Sequence, residues 1–113
     1  VSLSGGQKQR LAMSRALIIT PEILILDDSL SAVDAKTEHM ILENLKQERA
    51  DKTTIITAHR LSAIVHADLI LVLENGHIKE RGTHQELLAA QGWYAQTYQN
   101  QQLYERFKEE SAE

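Results

Sequence analysis

The stretch "EILILDD" at residues 22–28 decides the fold of this chain. Its apolar run is continuous rather than alternating, which is typical of a strand covered on both faces in a parallel sheet. The stretch "TTIITAH" at residues 53–59 has the same character. Between the two, residues 34–49 carry an apolar stripe at helical spacing and begin with Asp34 as an N-cap. The order strand, helix, strand predicts a parallel βαβ unit and an α/β fold.

The second half of the chain predicts an antiparallel pair. Two strand patterns, "LILVLEN" at 69–75 and "HIKERG" at 77–82, are joined by Asn75–Gly76, a pair of residues that both tolerate positive φ. Thr83 and Glu86, three residues apart, are typical of a capping box at the start of a helix. We therefore expect a β-hairpin followed by helices.

A last helix is predicted over residues 93–107. Trp93, Thr97 and Tyr104 fall near one helical face, which we expect to lie in the core. The final residues "KEESAE", 108–113, are predicted to be solvated and disordered. Four of the five histidines show no ligand spacing and are predicted to lie on the surface: His39, His66, His77 and His84.

Composition limits the function. The chain has 113 residues, enough for one small domain, with 42% hydrophobic and 25% charged residues, as in ordinary globular proteins. A net charge of −4 argues against a nucleic-acid partner. The absence of cysteine excludes disulfides and thiolate metal sites. The longest apolar run, "LILVL", is far shorter than the roughly 20 residues that span a bilayer.

The opening helix begins with two glycines, in "LSGGQ" at residues 3–7. Glycine inside a helix costs roughly 1 kcal/mol relative to alanine. Ser4 suits the N-cap, and bare N–H groups at the positive end of a helix bind anions, to which Gln7 would add an amide. The sequence predicts a phosphate-binding site here, while a glycine-rich loop that merely caps the helix remains an alternative.

Two acids, Asp27 and Asp28, end the first strand, and His59 follows the second. Paired carboxylates repel each other and favour a hard cation such as Mg²⁺. Alternatively, Asp28 caps the following turn and Asp27 is only solvated. Parallel strands end at one edge of a sheet, where α/β folds place their ligands, and neighbouring strands lie about 4.8 Å apart. We therefore expect all three side chains at one site.

These segments together resemble the ATP-binding cassette (ABC) proteins. "LSGGQ" resembles their signature motif, "ILILDD" (23–28) their Walker B strand and "SAVD" (31–34) their D-loop, and His59 falls at the switch-histidine position. Residues 67–88 resemble the exporter branch of that family. The implied fold is part of a P-loop NTPase (RecA-like) cassette with a C-terminal hairpin and helices.

The resemblance covers residues 1 to about 92. It implies that 1–92 are the C-terminal part of a nucleotide-binding domain and that 93–113 are a C-terminal helix with an acidic tail. In the family, two cassettes face head to tail and enclose two ATP molecules, each bound by the signature motif of one cassette and the Walker motifs of the other. The implied roles are nucleotide contact by Leu3, Ser4, Gly5, Gly6, Gln7 and Asp34, catalysis by Asp28 and His59, and Mg²⁺ binding by Asp27.

Two departures from the family pattern matter. No "GxxxxGK[ST]" phosphate loop occurs in the chain, so we expect it to be the C-terminal half of a cassette that neither binds nor hydrolyses ATP well alone. Asp28 stands where the family usually has glutamate, and its side chain is one methylene shorter. This exchange resembles one half of heterodimeric bacterial multidrug exporters, which pair a weak ATP site with a competent one, although a homodimer stays open.

The resemblance implies ATP hydrolysis coupled to export, at the cytoplasmic face of the plasma membrane, through a transmembrane domain outside this chain. Two alternatives remain: a soluble ABC ATPase that acts on DNA or ribosomes, and a pseudo-ATPase module that only binds a partner cassette. The acidic balance argues against the nucleic-acid alternative. Expressed alone, the chain is expected to be poorly soluble, because its sheet would have a bare edge.

Overall fold

The computed structural model describes residues 2–112 and divides the chain into two compact units, Val1–His59 and Arg60–Glu113. The first unit contains α1 (Gly5–Ile18), β1 (Ile23–Asp27), α2 (Ala35–Glu48) and β2 (Thr53–Thr57). β1 and β2 are parallel neighbours, in register from Ile23 opposite Thr53 to Asp27 opposite Thr57. The predicted strand, helix, strand order is therefore confirmed, with β1 and β2 each ending before the predicted limit.

The core of the first unit lies on one face of its sheet. Leu24 and Leu26 of β1 are buried, whereas Ile23 and Ile25 are 61% and 63% exposed. Ile55 of β2 is 48% exposed. The expectation that both faces of these strands are covered is wrong for the described residues, because both helices of the unit contribute to the core on the same face. That core comprises Met13, Leu24, Leu26, Leu30, Val33 and Leu45.

A buried guanidinium ties the starts of the two strands together. Arg49, directly after α2, is only 6% exposed. It donates to the carbonyl oxygens of Pro21 (2.8 Å) and Thr53 (2.9 Å) and to Oγ1 of Thr54 (2.9 Å). Backbone carbonyls thus replace the water that the charge loses on burial.

The second unit contains a 3₁₀ turn and four regular elements. They are the turn Leu61–Ile64, β3 (Ile70–Glu74), β4 (His77–Gly82), α3 (His84–Ala90) and α4 (Trp93–Ala112). β3 and β4 form the predicted antiparallel hairpin. Its turn residues Asn75 and Gly76 have φ of 50° and 78°, as an Asn-Gly hairpin turn requires. Thr83 caps α3 and forms the predicted capping box with Glu86.

The predicted inner face of α4 is wrong. Trp93 and Tyr104 are 48% and 66% exposed, whereas Tyr94 is fully buried and Ala95 nearly so. The Tyr94 hydroxyl is hydrogen-bonded to Nδ1 of His84 at 2.8 Å. Burial, with Tyr98 adding to it, raises the pKa of Tyr94 to about 12. The inner face follows these contacts with α3 rather than the aromatic spacing.

Two further predictions about the second unit are corrected. His84 is 8% exposed rather than on the surface. α4 continues to Ala112 instead of ending before a disordered tail from Lys108, while Glu113 lies outside the described residues. Glutamate and lysine are strong helix formers, and extending an existing helix costs far less than starting one. Opposite charges four residues apart, Arg106 and Glu110, favour the same extension.

The start of α4 is held by a carboxylate from β4. Oε2 of Glu80 accepts a hydrogen bond from the Tyr94 N–H at 3.0 Å. Its Oε1 is buried and has no hydrogen-bond partner within residues 2–112. A Cβ added to Gly92 would lie 2.7 Å from that oxygen. Glycine at position 92 therefore leaves the space that the capping carboxylate fills.

Candidate nucleotide-contact site

The N-terminus of α1 is a closed capping box. The Ser4 hydroxyl accepts from the Gln7 N–H at 3.2 Å, and the Gln7 side-chain oxygen accepts from the Ser4 N–H at 2.9 Å. The prediction that Ser4 is the N-cap is confirmed. Leu3, just before it, is 47% exposed. The box fixes the direction of the first helical N–H groups, which have no carbonyl partner inside a helix and lie at its positive end.

Gly5 and Gly6 lie directly against the loop that follows β1. A Cβ on Gly5 would lie 3.2 Å from the Cβ of Ala32, and one on Gly6 would lie 3.0 Å from the Ala32 carbonyl oxygen. The sequence suggested the approach of a phosphate as the reason for the glycines, with a loop that merely caps the helix as the alternative. The structure adds an internal reason, since a larger side chain at either position would push α1 away from Ala32.

The two acids at the end of β1 are organised by one threonine. Oγ1 of Thr57 donates to Oδ1 of Asp27 at 2.9 Å and accepts from the Asp28 N–H at 3.0 Å. Both aspartates are exposed. Asp27 is therefore oriented by a hydrogen bond and is more than a solvated side chain.

Asp28 has a left-handed backbone, with φ of 55°. This conformation is uncommon outside glycine, although aspartate and asparagine tolerate it better than other residues. The Asp28 carbonyl oxygen accepts from Oγ of Ser31 and from Nε2 of Gln9, both at 3.3 Å. The backbone of Asp28 is thus held on both sides, a pattern common where a local strain serves a function.

His59 and Asp34 complete the predicted set. His59 is exposed and follows the end of β2 by two residues, so the strand register brings it to the same edge of the sheet as Asp27 and Asp28. Asp34 caps α2 and accepts from both the N–H (3.1 Å) and the hydroxyl (2.7 Å) of Thr37. Those hydrogen bonds lower the pKa of Asp34 below its usual value, because they favour the charged carboxylate.

Asp27 suits one position in the coordination sphere of a divalent ion. Carboxylate oxygen is a preferred ligand of Mg²⁺, and the side chain is accessible and oriented. Residues 2–112 contain no cluster of three or more acidic, histidine or cysteine side chains that could enclose a metal. Mg²⁺ commonly binds proteins through one or two carboxylates and keeps several waters, and a single oriented carboxylate fits that habit.

Sequence reasoning missed two residues of this site, Thr57 and Gln9. Thr57 could have been found by aligning the two strands, since it faces Asp27 in the parallel register. Gln9 lies four residues after Gly5 and four before the buried Met13, so these residues share one face of α1. A polar side chain on a packed helix face is a weak signal, but here it indicated hydrogen-bond partners in the neighbouring loop.

Several known proteins are similar to this chain. A family profile described as ABC transporter matches residues 1–31. The Bacillus subtilis protein named as a probable multidrug resistance ABC transporter ATP-binding/permease protein, YheI, is 65% identical over 104 residues, which are 92% of this chain and 18% of that protein. The multidrug resistance-like ATP-binding protein MdlA of Escherichia coli is 56% identical over 103 residues, 91% of this chain and 18% of its own length.

A solved structure of a bacterial Atm1-family ABC exporter with ATP bound is similar with a TM-score of 0.83 and 45% identity. The match covers 88% of this chain and 18% of that one. The chain is therefore a fragment of an ABC transporter nucleotide-binding domain with the mixed α/β fold of that cassette. More particularly, it is homologous to multidrug ABC exporters, and it spans 18% of the length of the relatives named here.

ABC domains bind ATP and are generally ATPases. The relatives are membrane transporters, whereas none of the helices within residues 2–112 has the length and apolar character needed to cross a membrane.

Proposed function

We propose that this chain is the signature-bearing part of one cassette in an ABC exporter that hydrolyses ATP to move a substrate out across a membrane. The observation that carries the proposal is the parallel register of β1 and β2. It places Asp27 opposite Thr57 and so gathers the acid pair and His59 at one edge of the sheet. The homology to multidrug exporters supports the same reading.

The N-terminus of α1 would contact the γ-phosphate of an ATP held by a second cassette. Leu3 would pack beside the nucleotide, while Ser4, Gly5, Gly6 and Gln7 would present backbone and side-chain polar groups to it. The capping box supports this role, because a rigid helix start offers N–H groups that are already aligned for an anion. Asp34 would lie at the junction of the two cassettes.

The acid pair would serve the nucleotide bound by its own cassette. Asp27 would hold Mg²⁺, which when bound neutralises charge on the phosphates. Asp28 would accept a proton from the attacking water as the water oxygen bonds to the γ-phosphorus and the bond to the ADP oxygen breaks. His59 would hydrogen-bond the γ-phosphate. Because the Asp28 side chain is short, this site would turn over slowly, since general-base catalysis, worth about 10²–10⁴ in rate, requires hydrogen-bond reach.

The organisation follows from these roles. Residues 1–92 would be the C-terminal part of the nucleotide-binding domain and 93–113 its terminal helix and tail. The partners would be a transmembrane domain and a second cassette that forms a heterodimer and owns the competent site. The assembly would lie at the cytoplasmic face of the plasma membrane, and the 113-residue chain alone would be inactive.

The proposal is tested by Asp28→Glu in the full transporter, with the catalytic glutamate of the partner cassette replaced by glutamine. We expect the rate of ATP hydrolysis to rise by at least about tenfold over the same assembly with Asp28. Asp28→Asn, which keeps the backbone preference and removes the base, is the matched control and is expected to give no rise.

An absence of any increase with Asp28→Glu would refute the slow-site assignment. If the unaltered assembly neither binds nor hydrolyses ATP, the ATPase proposal as a whole is wrong. That outcome would favour a module that only binds a partner cassette.

A further inference from the structure

The side-chain amide of Gln9 makes three hydrogen bonds within the first unit. Its Oε1 accepts from the Ala32 N–H at 2.8 Å. Its Nε2 donates to Oγ of Ser31 at 2.9 Å and to the carbonyl oxygen of Asp28 at 3.3 Å. One side chain from α1 therefore binds three residues of the loop that leads from β1 to α2: Asp28, Ser31 and Ala32. We call this set of hydrogen bonds the Gln9 clamp.

The clamp acts on a residue whose backbone is strained. Asp28 has φ of 55°, and its N–H is fixed separately by Thr57. A left-handed backbone persists only where neighbouring groups hold it. Because Gln9 and Ser31 bind the carbonyl oxygen of Asp28, they fix the peptide plane that follows it and, through that plane, the direction of the Asp28 side chain.

The same helix presents the signature residues. Gln9 lies one turn after Gly5, and a Cβ on Gly5 or Gly6 would lie only 3.2 Å or 3.0 Å from an atom of Ala32. The start of α1 and the loop 28–32 are thus joined by a polar clamp and a close apolar contact. A displacement of either segment would strain the other, since close-packed contacts transmit displacement.

We propose that Gln9 is a positioning residue that sets the aim of Asp28 and makes the signature segment and the acid pair move as one body. The inference rests on the proposed function, in which these two segments belong to two different ATP sites. In this role Gln9 would contact neither nucleotide. It acts through the backbone of Asp28 and through Ala32.

The clamp is tested first by amide hydrogen exchange in the full transporter. Gln9→Leu removes all three hydrogen bonds, so exchange at the Ala32 amide is expected to accelerate at least about tenfold. Gln9→Glu keeps an acceptor for Ala32 and removes both donors, so Ala32 should stay protected. Gln47→Leu, the same change at an exposed position of α2, should leave Ala32 unchanged. Unchanged exchange in Gln9→Leu would overturn the inference.

The positioning role is tested by kinetics in the assembly with Asp28→Glu and a disabled partner glutamate, where turnover comes from the site that residue 28 serves. Gln9→Glu is expected to lower kcat on the order of tenfold to a hundredfold and to leave the KM for ATP within about twofold, because a misaimed base slows chemistry and not binding. With Asp28→Ala, adding Gln9→Glu should change kcat no further.

The two failures are distinguishable. If the assembly with intact Gln9 does not hydrolyse ATP, the proposed function is wrong, and the exchange of Ala32 still decides whether the clamp exists. If it does hydrolyse ATP and Gln9→Glu leaves kcat unchanged, or raises KM in proportion, Gln9 does not position Asp28.

Discussion

Gly6 packs against Ala32 so closely that a Cβ on Gly6 would lie 3.0 Å from the Ala32 carbonyl oxygen. Val33 lies next to the same point, with its Cγ2 at 3.5 Å. The glycine pair thus has a structural task before any phosphate arrives, which is to let the start of α1 rest on the loop after β1. Phosphate contact and internal packing are separable by experiment, since only the second affects the stability of the chain without nucleotide.

The bare face of the first sheet makes self-association the first property to test. Ile23, Ile25 and Ile55 are 61%, 63% and 48% exposed and form an apolar patch of the kind that promotes aggregation. We expect the 113-residue chain to associate with rising concentration in light scattering and to lack a sharp melt by circular dichroism. The double variant Ile25→Thr and Ile55→Thr should stay monomeric, because threonine keeps strand propensity.

Leu24→Thr, a matched change at a buried position of β1, should destabilise the chain without improving its solubility. A sharp, cooperative melt of the unaltered chain in dilute buffer would contradict this prediction. The soluble double variant provides the background for the stability measurements that follow.

The glycine pair gives a prediction with an internal control. Gly6→Ala is expected to lower the free energy of unfolding by about 1–3 kcal/mol despite the better helix propensity of alanine, because the obstacle is a backbone carbonyl that cannot turn away. Gly5→Ala meets the side chain of Ala32 at 3.2 Å, so Ala32→Gly should rescue Gly5→Ala and not Gly6→Ala. Urea unfolding followed by circular dichroism measures both. Equal rescue of the two variants would exclude the proposed contact.

The left-handed backbone of Asp28 predicts an inverted ranking of small residues. Alanine at φ of 55° is strained, whereas glycine is not. Asp28→Gly should therefore be about 1 kcal/mol more stable than Asp28→Ala, the reverse of the order in a helix. Ala12, an exposed residue inside α1, is the matched control, since Ala12→Gly should be destabilising. Equal stability of the two Asp28 variants in urea would show that the backbone relaxes.

Sequence patterns predicted the strands, turns and helix caps better than they predicted which faces of those elements are buried. The two parallel strands, the Asn75–Gly76 turn and the caps Ser4 and Thr83 follow from local chemistry and were found as expected. The buried face of α4 could not be predicted from the helix alone, because Tyr94 packs with Leu61, Ile70 and Leu87 of other elements and its hydroxyl is hydrogen-bonded to the ring of His84. A pattern of apolar residues does not reveal such a polar contact.

For the candidate site, the sequence predicted which residues lie at the ends of the strands but not the contacts that orient them. Asp27, Asp28 and His59 share an edge because parallel strands end together, and that needs only strand order. The left-handed turn at Asp28 and the reach of Gln9 depend on how α1 packs against the following loop. Both are tertiary features, so one sequence gives no direct sign of them.

Buried His84 predicts that the second unit loses stability in acid. Burial, and to a smaller extent the charge of His66, lowers the pKa of His84 below its ordinary value of 6.5. On acidification the unfolded chain binds this proton first, so the free energy of unfolding is fully present above pH 6.5 and falls as the pH drops toward the lowered value. The fluorescence of Trp93, the only tryptophan, follows this transition in urea.

The pH dependence of the free energy of unfolding should come from His84. His84→Phe keeps a ring against Tyr98 and should flatten the fall in the free energy of unfolding below pH 6.5, at some cost in stability because the Tyr94 hydroxyl loses its partner. His77→Asn, at an exposed histidine, should retain the slope. A slope that survives His84→Phe would assign the acid sensitivity to another group.

The contact of Glu80 with Gly92 predicts a strong coupling between two positions twelve residues apart in the sequence. Gly92→Ala would force the Glu80 carboxylate away, because the new Cβ would lie 2.7 Å from Oε1, and the N–H of Tyr94 would lose its acceptor. We expect a loss of about 2 kcal/mol in the free energy of unfolding of the second unit. In a Glu80→Ala background the same change should cost less than about 1 kcal/mol, since only the weaker N-cap preference of alanine remains. Trp93 fluorescence in urea gives the free energy of unfolding of the unaltered chain, the two single variants and the double variant. Strictly additive effects of the two substitutions would mean that Glu80 does not fill the space above Gly92.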